Sequence, residues 1–380
     1  MEAYLSITPL GACLLDSSGE ILDFSPFPRN PEEISKRFAA LHRGKISEEI
    51  EDLLQRWEKS IQILYVESSE VKEAIGSKFS KKIVSAPNLE VFRKFRAEKV
   101  AKLSSLAGIS EKDYYNLLVD ASIELTSSLI KDQLSRKDLL VIKAVDYLDH
   151  LNKALNILIP AVREWYGIYF PELNELVDDH ETFIRVINLT RKKEELRKED
   201  LISLGISESL ADRIVRSSRK SMGSDLGEHD LKILREISSV MLSLYDSRKD
   251  VESYIEKLMR EIAPNMSDVV HPLVGARLVA LAGGLDKLAR MPASTIQVLG
   301  AHKAIFMHIT KGTKPPKHGI LFQAKEIRTA PKKVRGKIAR LLATKIAIAV
   351  KMDAFGRERD LGKRLRAEID EKISKIREEA

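Results

Sequence analysis

At 380 residues, 44% hydrophobic and 31% charged, the chain has the length of two or three domains and too much apolar material for wholesale disorder. Its single cysteine, Cys13, excludes a disulfide framework and a cysteine-based zinc site. The formal charge of +7 is unevenly spread, for residues 264–380 hold 24 Lys and Arg against 11 Asp and Glu, and the remainder 39 against 45. That separation points to a polyanion-binding C-terminal third, with a solvated basic surface as the plainer alternative. The first residues break at Pro9 and Gly11 without a basic lead, unlike a signal peptide. No run approaches the length of a membrane span. The expectation is a soluble, cytoplasmic chain with a reduced thiol.

Residues 1–115 read as a small α/β domain. Leu10 to Leu15 and Ile21 to Phe24 are apolar and flank the turn Asp16-Ser-Ser-Gly19, the pattern of a β-hairpin. Ile61 to Val66 reads as a buried strand. Ile46–Trp57 and Asn88–Leu106 carry helical spacing behind the N-cap candidates Ser47 and Asn88. No G-x-G-x-x-G or G-x-x-x-x-G-K-[ST] occurs, so no motif places a nucleotide here.

Residues 116–263 change period. Leu134, Val141, Leu148, Leu155 and Val162 fall seven apart, and Ile130, Lys137, Ala144, Leu151, Leu158 and Trp165 form a companion series. A second stretch repeats the pattern in Leu234, Met241, Arg248, Ile255 and Ile262, with Ile237, Leu244, Val251 and Leu258 beside it. Interlocked heptads predict paired long helices, an antiparallel coiled-coil rod of about 50 Å. Pro160 reads as a break, Arg191 to Asp200 as a charged linker, and Ser221 to Gly227 as a loop.

Residues 264–380 read as a compact all-α domain. Gly275–Leu288 and Ser294–Thr310 are helical in period, with breaks at Gly283-Gly284 and Met291-Pro292. Lys311 to Gly319 is a basic loop stiffened by Pro315 and Pro316. Lys332–Lys351 predicts a two-faced helix, apolar at Ile338, Leu341, Leu342, Ile346 and Ala349. Lys333, Lys337 and Arg340 stand at i, i+4 and i+7 on the other face, a stripe suited to a phosphate backbone or simply to water.

Catalysis has little support. The eight histidines form no metal spacing such as H-E-x-x-H, and His302 and His308 are six apart. Acidic residues fall on helix faces opposite Lys and Arg. No cofactor, metal or catalytic residue is expected.

Several blocks resemble the Nop domain: Gly275-Ala-Arg-Leu-Val-Ala-Leu-Ala-Gly-Gly-Leu285, Met291-Pro-Ala-Ser-Thr-Ile-Gln-Val-Leu-Gly-Ala301, Pro316-Lys-His-Gly-Ile-Leu-Phe322 and Lys337-Ile-Ala-Arg-Leu-Leu-Ala-Thr-Lys345. Upstream, Val162 to Leu173 and Ser217 to Asp225 resemble the same family. The likeness covers roughly residues 115–380; before that it rests on length and order. It implies a core protein of box C/D small ribonucleoproteins, archaeal in form because the lysine-rich tail of the eukaryotic nucleolar relatives is missing. A splicing factor shares the domain. The resemblance further implies a noncatalytic scaffold. Its N-terminal domain would hold fibrillarin, an S-adenosylmethionine-dependent RNA 2′-O-methyltransferase, and its coiled coil would form a homodimer. Its C-terminal domain would recognise kink-turn guide RNA together with a ribosomal-like kink-turn-binding protein.

The family's Gly-Ala-Glu-Lys motif falls on Gly300, Ala301, His302 and Lys303. His302 stands in place of the glutamate, and an imidazole could stack on a base or, protonated, donate to a phosphate. Small Gly300 and Ala301 let an RNA backbone approach, and Lys303, Lys314, Lys317, His318, Lys333, Lys337 and Arg340 supply cations. Aromatics are sparse here, which favours recognition of RNA shape and phosphate over base-by-base reading. For a docked methyltransferase the candidates are Phe24, Pro26 and Phe27, a stiff proline-aromatic turn. The alternatives are a splicing-particle component, a coiled-coil structural protein with a nonspecific polyanion-binding end, and an independent methyltransferase.

Overall fold

Strand β1 (Glu2–Thr8) buries all its residues but the first and Ile7, and a strand covered on both faces shows no polar alternation. The structure, a computed structural model, describes residues 1–76, 78–356 and 358–378; Glu379 and Ala380, which end the basic third, lie outside it. β1 pairs antiparallel with β2 (Gly11–Leu15), and β2 with β3 (Ile21–Pro26). On its other side β1 runs parallel to β4 (Ile63–Val66), and β4 to β5 (Lys82–Ser85), giving the order β3-β2-β1-β4-β5. The expected hairpin and buried strand are both present.

Helices cover both faces of this sheet. Alternation in β1 and β2 sends Ala3, Leu5, Ala12 and Leu14 to one core, shared with Ile34 of α1 (Pro31–His42), Ile50 and Leu53 of α2 (Glu48–Trp57) and Ile75 of α3 (Ser69–Gly76). Tyr4, Cys13 and Leu15 point to the other core, with Phe92 and Phe95 of α4 (Glu90–Ala107) and Tyr114 of α5 (Glu111–Leu134). Burial pushes the Cys13 thiol up to about 12, so it is inert. Helix α4 starts behind Leu89, not Asn88, and Ser47 occupies the N-cap of α2 without accepting a capping hydrogen bond. Because α5 packs Tyr114 and Ala121 into these cores, the first compact unit continues past residue 115 to Arg136. Ile130 and Leu134, which open the heptad series, therefore belong to this unit and are exposed.

The second unit, Lys137–Ala380, is built on two long helices. α6 (Lys137–Tyr169) leads into α7 (Glu172–Leu176), α8 (His180–Leu189), α9 (Lys198–Ser203) and α10 (Glu208–Ser218), after which α11 (Glu228–Ile262) returns. The pair is antiparallel: Val141, Val145 and Leu148 share a core with Ile255, Leu258 and Met259, while Leu155, Ile159 and Val162 share one with Leu231, Leu234 and Met241. Lys137 pairs with Glu261 at the near end. Pro160 does not break α6. It lies on the exposed side, as does Asn156, whose carbonyl loses its helical donor and can turn to water.

The stretch read as a charged linker is anchored instead. Lys193 is only 4% exposed, its Nζ donating to the carbonyls of Tyr169 (3.1 Å) and Gly223 (3.0 Å). The loop from Ser221 is fixed by Glu172, which accepts from Ser221 Oγ (2.7 Å) and Met222 N (2.9 Å). A Cβ on Gly223 would sit 2.1 Å from the Tyr169 carbonyl oxygen, so this position requires glycine.

Beyond α11 the chain forms a helical bundle: α12 (Pro264–Val269), α13 (Pro272–Ala282), α14 (Leu285–Arg290), α15 (Ala293–Val298), α16 (His302–Lys311), α17 (Lys325–Arg328), α18 (Arg335–Phe355) and α19 (Leu361–Glu378). Ile338, Leu342, Ile346 and Ala349 of α18 line its core, as the apolar pattern predicts. Among the described residues, no helix is long and apolar enough to cross a membrane.

Candidate nucleic-acid interface

The segment Ser294–Thr310 is not one helix, because Gly300 turns it. Its φ of +84° lies in the left-handed region, and a Cβ there would stand 3.1 Å from Leu281 Cδ1. Ala301 then occupies the N-cap of α16, and His302 and Lys303 form its exposed first turn.

The end of the basic loop is folded back onto this turn. Gly319 N donates to Gln297 O (2.9 Å), Ile320 N to Leu299 O (2.8 Å), and Gln297 Nε2 to Lys317 O (2.8 Å). A Cβ at Gly319 would be 2.0 Å from the Leu299 carbonyl oxygen, so only glycine lets the two backbones meet. His318 stacks on Phe322 with ring centres 4.8 Å apart, and the Arg335 guanidinium lies 5.3 Å from the same ring. Burial, then Arg335 and Lys317, holds the His318 imidazole below the usual histidine range, so it is neutral at pH 7. The Lys317 stem lies against Gly336, where a Cβ would be 3.4 Å from its Cδ.

These contacts bring Lys317 and His318 to the N-terminal end of α18, where Lys337 and Arg340 are exposed. Lys333 sits in the turn before α18, not on its stripe. The i, i+4, i+7 arrangement thus keeps two members on the helix. Lys314 is exposed in the extended part of the loop. Arg335 escaped sequence reasoning because its role is fixed by tertiary contacts: Nε donates to Ala330 O at 2.8 Å, aiming the guanidinium across Phe322.

Helix α16 buries none of its ten residues. Phe306 is 65% and Ile309 76% exposed, and Met307 is also exposed. A short helix beside a basic surface, showing apolar side chains to solvent, has the character of a docking element.

The long helices carry a second seam of the same kind. Leu140, Tyr147, Ala154, Ala161 and Ile168 stand seven apart on α6, with Leu158 and Trp165 on the adjoining line. Leu140, Tyr147, Leu158, Trp165 and Ile168 are all exposed, and Ile157 beside them is 72% exposed. Seven-residue spacing of apolar residues on an uncovered face is the pattern that takes another helix.

In the first unit the turn residues do not form one surface. Phe27 is 4% exposed in the core under α1, with the Arg37 guanidinium 5.6 Å from its ring. Phe24 lies on the opposite face of the sheet, half-buried against the other core, and only Pro26 is exposed. Phe24 is in β3 and Phe27 just past its end, where Phe27 N donates to Leu10 O (2.8 Å), and Phe27 is unavailable to a partner.

Residues 147–375 match the Nop family, described as "snoRNA binding domain, fibrillarin". The chain belongs to the Nop family. Residues 2–131 match the archaeal Nop5/56-related N-terminal domain, a firmer link than length and order alone. An uncharacterized NOP5 family protein of Methanocaldococcus jannaschii is 44% identical over 235 residues, 62% of this chain and 56% of that protein. Nucleolar protein 58 of Candida glabrata is 32% identical over 377 residues, 95% of this chain and 72% of that protein. One chain of a solved fibrillarin/Nop5p complex is 26% identical, with a TM-score of 0.35, covering 82% of this chain and 93% of that one.

Proposed function

We propose that this Nop-family chain is a noncatalytic scaffold of a box C/D small ribonucleoprotein, binding kink-turn guide RNA and a fibrillarin methyltransferase. The observation that carries the RNA reading is the braced surface of the basic third. Gly300 turns the chain and Gly319 lets its backbone touch that of Leu299, and this sets Lys317 beside α18 near Lys337 and Arg340. Cations fixed on a rigid frame suit structured RNA, whose phosphates they neutralise with release of counterions. His302, Lys303 and Lys314 extend the surface. The uncovered apolar face of α16 is the proposed seat of the kink-turn-binding protein.

The remaining roles divide along the chain. The first unit, centred on residues 1–115, docks fibrillarin, with Pro26 and the edge of Phe24 as contacts. The paired helices within 116–263 associate with a second copy along the α6 seam, and residues 264–380 hold the RNA. A competition experiment tests the RNA assignment. The full chain is expected to prefer a kink-turn RNA bound to its kink-turn protein over an equal-length duplex. Equal affinity for both would leave only a nonspecific polyanion binder.

A further inference from the structure

At the end of the long-helix pair away from the basic third, three clefts of about 460, 580 and 720 Å³ open side by side, and Arg191 lines all three. Arg235, in the second turn of α11, lines the two larger ones. From Arg235 helix α11 runs on to Ile262, so this site stands about 40 Å from where the basic third begins.

The backbone that carries Arg191 is fixed on both sides. Thr190 Oγ1 donates to Val186 O at 2.5 Å. Lys193 N donates to the Tyr169 hydroxyl at 2.7 Å, and the buried Lys193 ammonium ties the segment to Tyr169 and Gly223. Arg191 and Lys192 are left projecting into solvent. Among the described residues, neither Arg191 nor Arg235 has a carboxylate oxygen within 4.0 Å. Arg185 differs, being neutralised by Glu181 at 2.6 Å. In the 580 Å³ cleft the two arginines stand over an apolar floor of Leu189, Leu204 and Leu242, with Asp246 as its one carboxylate. Glu195 and Glu228 line the adjoining 720 Å³ cleft, which makes that one the poorer anion site.

Unpaired guanidinium groups grip phosphate through their planar donors, and an apolar floor of this size accepts a base. We infer that this cleft is a second RNA contact, with a backbone phosphate between Arg191 and Arg235 and the adjacent base on the leucine floor. The inference rests on the RNA-binding reading of the chain but uses none of the residues of the basic third. A single RNA engaging both sites must extend at least about 40 Å along α11.

The test uses the full chain carrying Arg191→Glu and Arg235→Glu, with anisotropy titrations of a long and a short kink-turn RNA across a salt series. For the long RNA, losing two phosphate contacts flattens log affinity against log salt by roughly 1.4 to 1.8. Arg191→Lys with Arg235→Lys keeps most of the slope. The short RNA, unable to reach both sites, binds wild type and variant alike. Should the reversal lower the melting temperature, Arg191→Gln with Arg235→Gln carries the same test. A folded variant with the wild-type slope overturns the inference, as does an equal loss with the short RNA. So does an AMP-binding signal that the variant abolishes while the RNA slope is unchanged, for the cleft would then take a free nucleotide. Lys337→Glu with Arg340→Glu, run in parallel, separates the readings: no effect there sinks the C-terminal assignment and leaves the arginine cleft standing or falling on its own data.

Discussion

Replacing Ile157 and Ile168 with lysine tests the α6 seam without touching the core. Both side chains point to solvent, 72% and 55% exposed, so the protomer is expected to keep its fold and melting temperature. Burying a whole isoleucine is worth roughly 1.5–3 kcal/mol. Scaled by these exposed fractions, the pair offers about 2–4 kcal/mol per protomer if a second copy covers it. A two-fold interface uses each position twice, which brings the total to about 4–8 kcal/mol. Covering will be incomplete, so the expected loss is set at no less than about 100-fold in the dimer dissociation constant, or ~2.7 kcal/mol. Like charges facing across the axis add to it. Sedimentation equilibrium over nanomolar to micromolar concentrations measures that constant. A wild-type chain that is monomeric at micromolar concentration refutes the seam, and so does a variant that dimerises as tightly as wild type.

Reversing Lys337 and Arg340 to glutamate is expected to flatten the salt dependence of RNA affinity by roughly 1.4 to 1.8 in a folded protein, since Ile338 and Leu342 still fill the core; an unchanged slope in a salt-series titration counts against that face. Gly319→Ala puts a methyl group 2.0 Å from the Leu299 carbonyl oxygen. We expect a loss of about 1–3 kcal/mol in chemical denaturation and weakened RNA binding, and wild-type values for both would remove the loop brace from the account. Asp179 caps α8, accepting from Thr182 Oγ1 (2.7 Å) and Thr182 N (2.8 Å), and these bonds hold its carboxyl below the usual range. Its contribution is therefore complete at neutral pH and lost as pH falls through the lowered value. Asp179→Ala should cost about 1 kcal/mol at pH 7 and make acid unfolding less steep, whereas an unaltered pH–stability curve would contradict the cap.

What the sequence exposed and what it hid follow the range of the forces involved. Heptads survive as sequence signals because helix pairing repeats every two turns, so the line Val141, Leu148, Leu155 and Val162 was legible as a buried face, whereas the companion line drifts off it: Leu158 and Trp165 are exposed, and Val145 and Ile159 take the core positions. The ends of the series were not legible. Ile130 and Leu134 continue the spacing yet sit in the first unit, where tertiary contacts of Tyr114 and Ala121 decide. Strand β1 has no alternation to read, being covered on both faces. Lys193 looks like linker charge until its two carbonyl partners are in place, and no local rule distinguishes it from Lys192. In the basic third, the cations of α18 were visible by periodicity, but the split at Gly300, the displacement of Lys333 and the aim of Arg335 depend on contacts with distant segments. The proline-aromatic turn suggested a partner surface, and the chain at the end of β3 instead sends Phe24 and Phe27 to opposite cores.

The scaffold reading is tested most directly by reconstitution. This chain, fibrillarin, the kink-turn-binding protein, a box C/D guide RNA and a matching target are combined with S-adenosylmethionine, and 2′-O-methylation is measured with each component omitted in turn. Guided methylation is expected only when the chain and fibrillarin are both present, and none from the chain with guide and target alone. Methylation at full rate without this chain, or from this chain without fibrillarin, would contradict the scaffold reading.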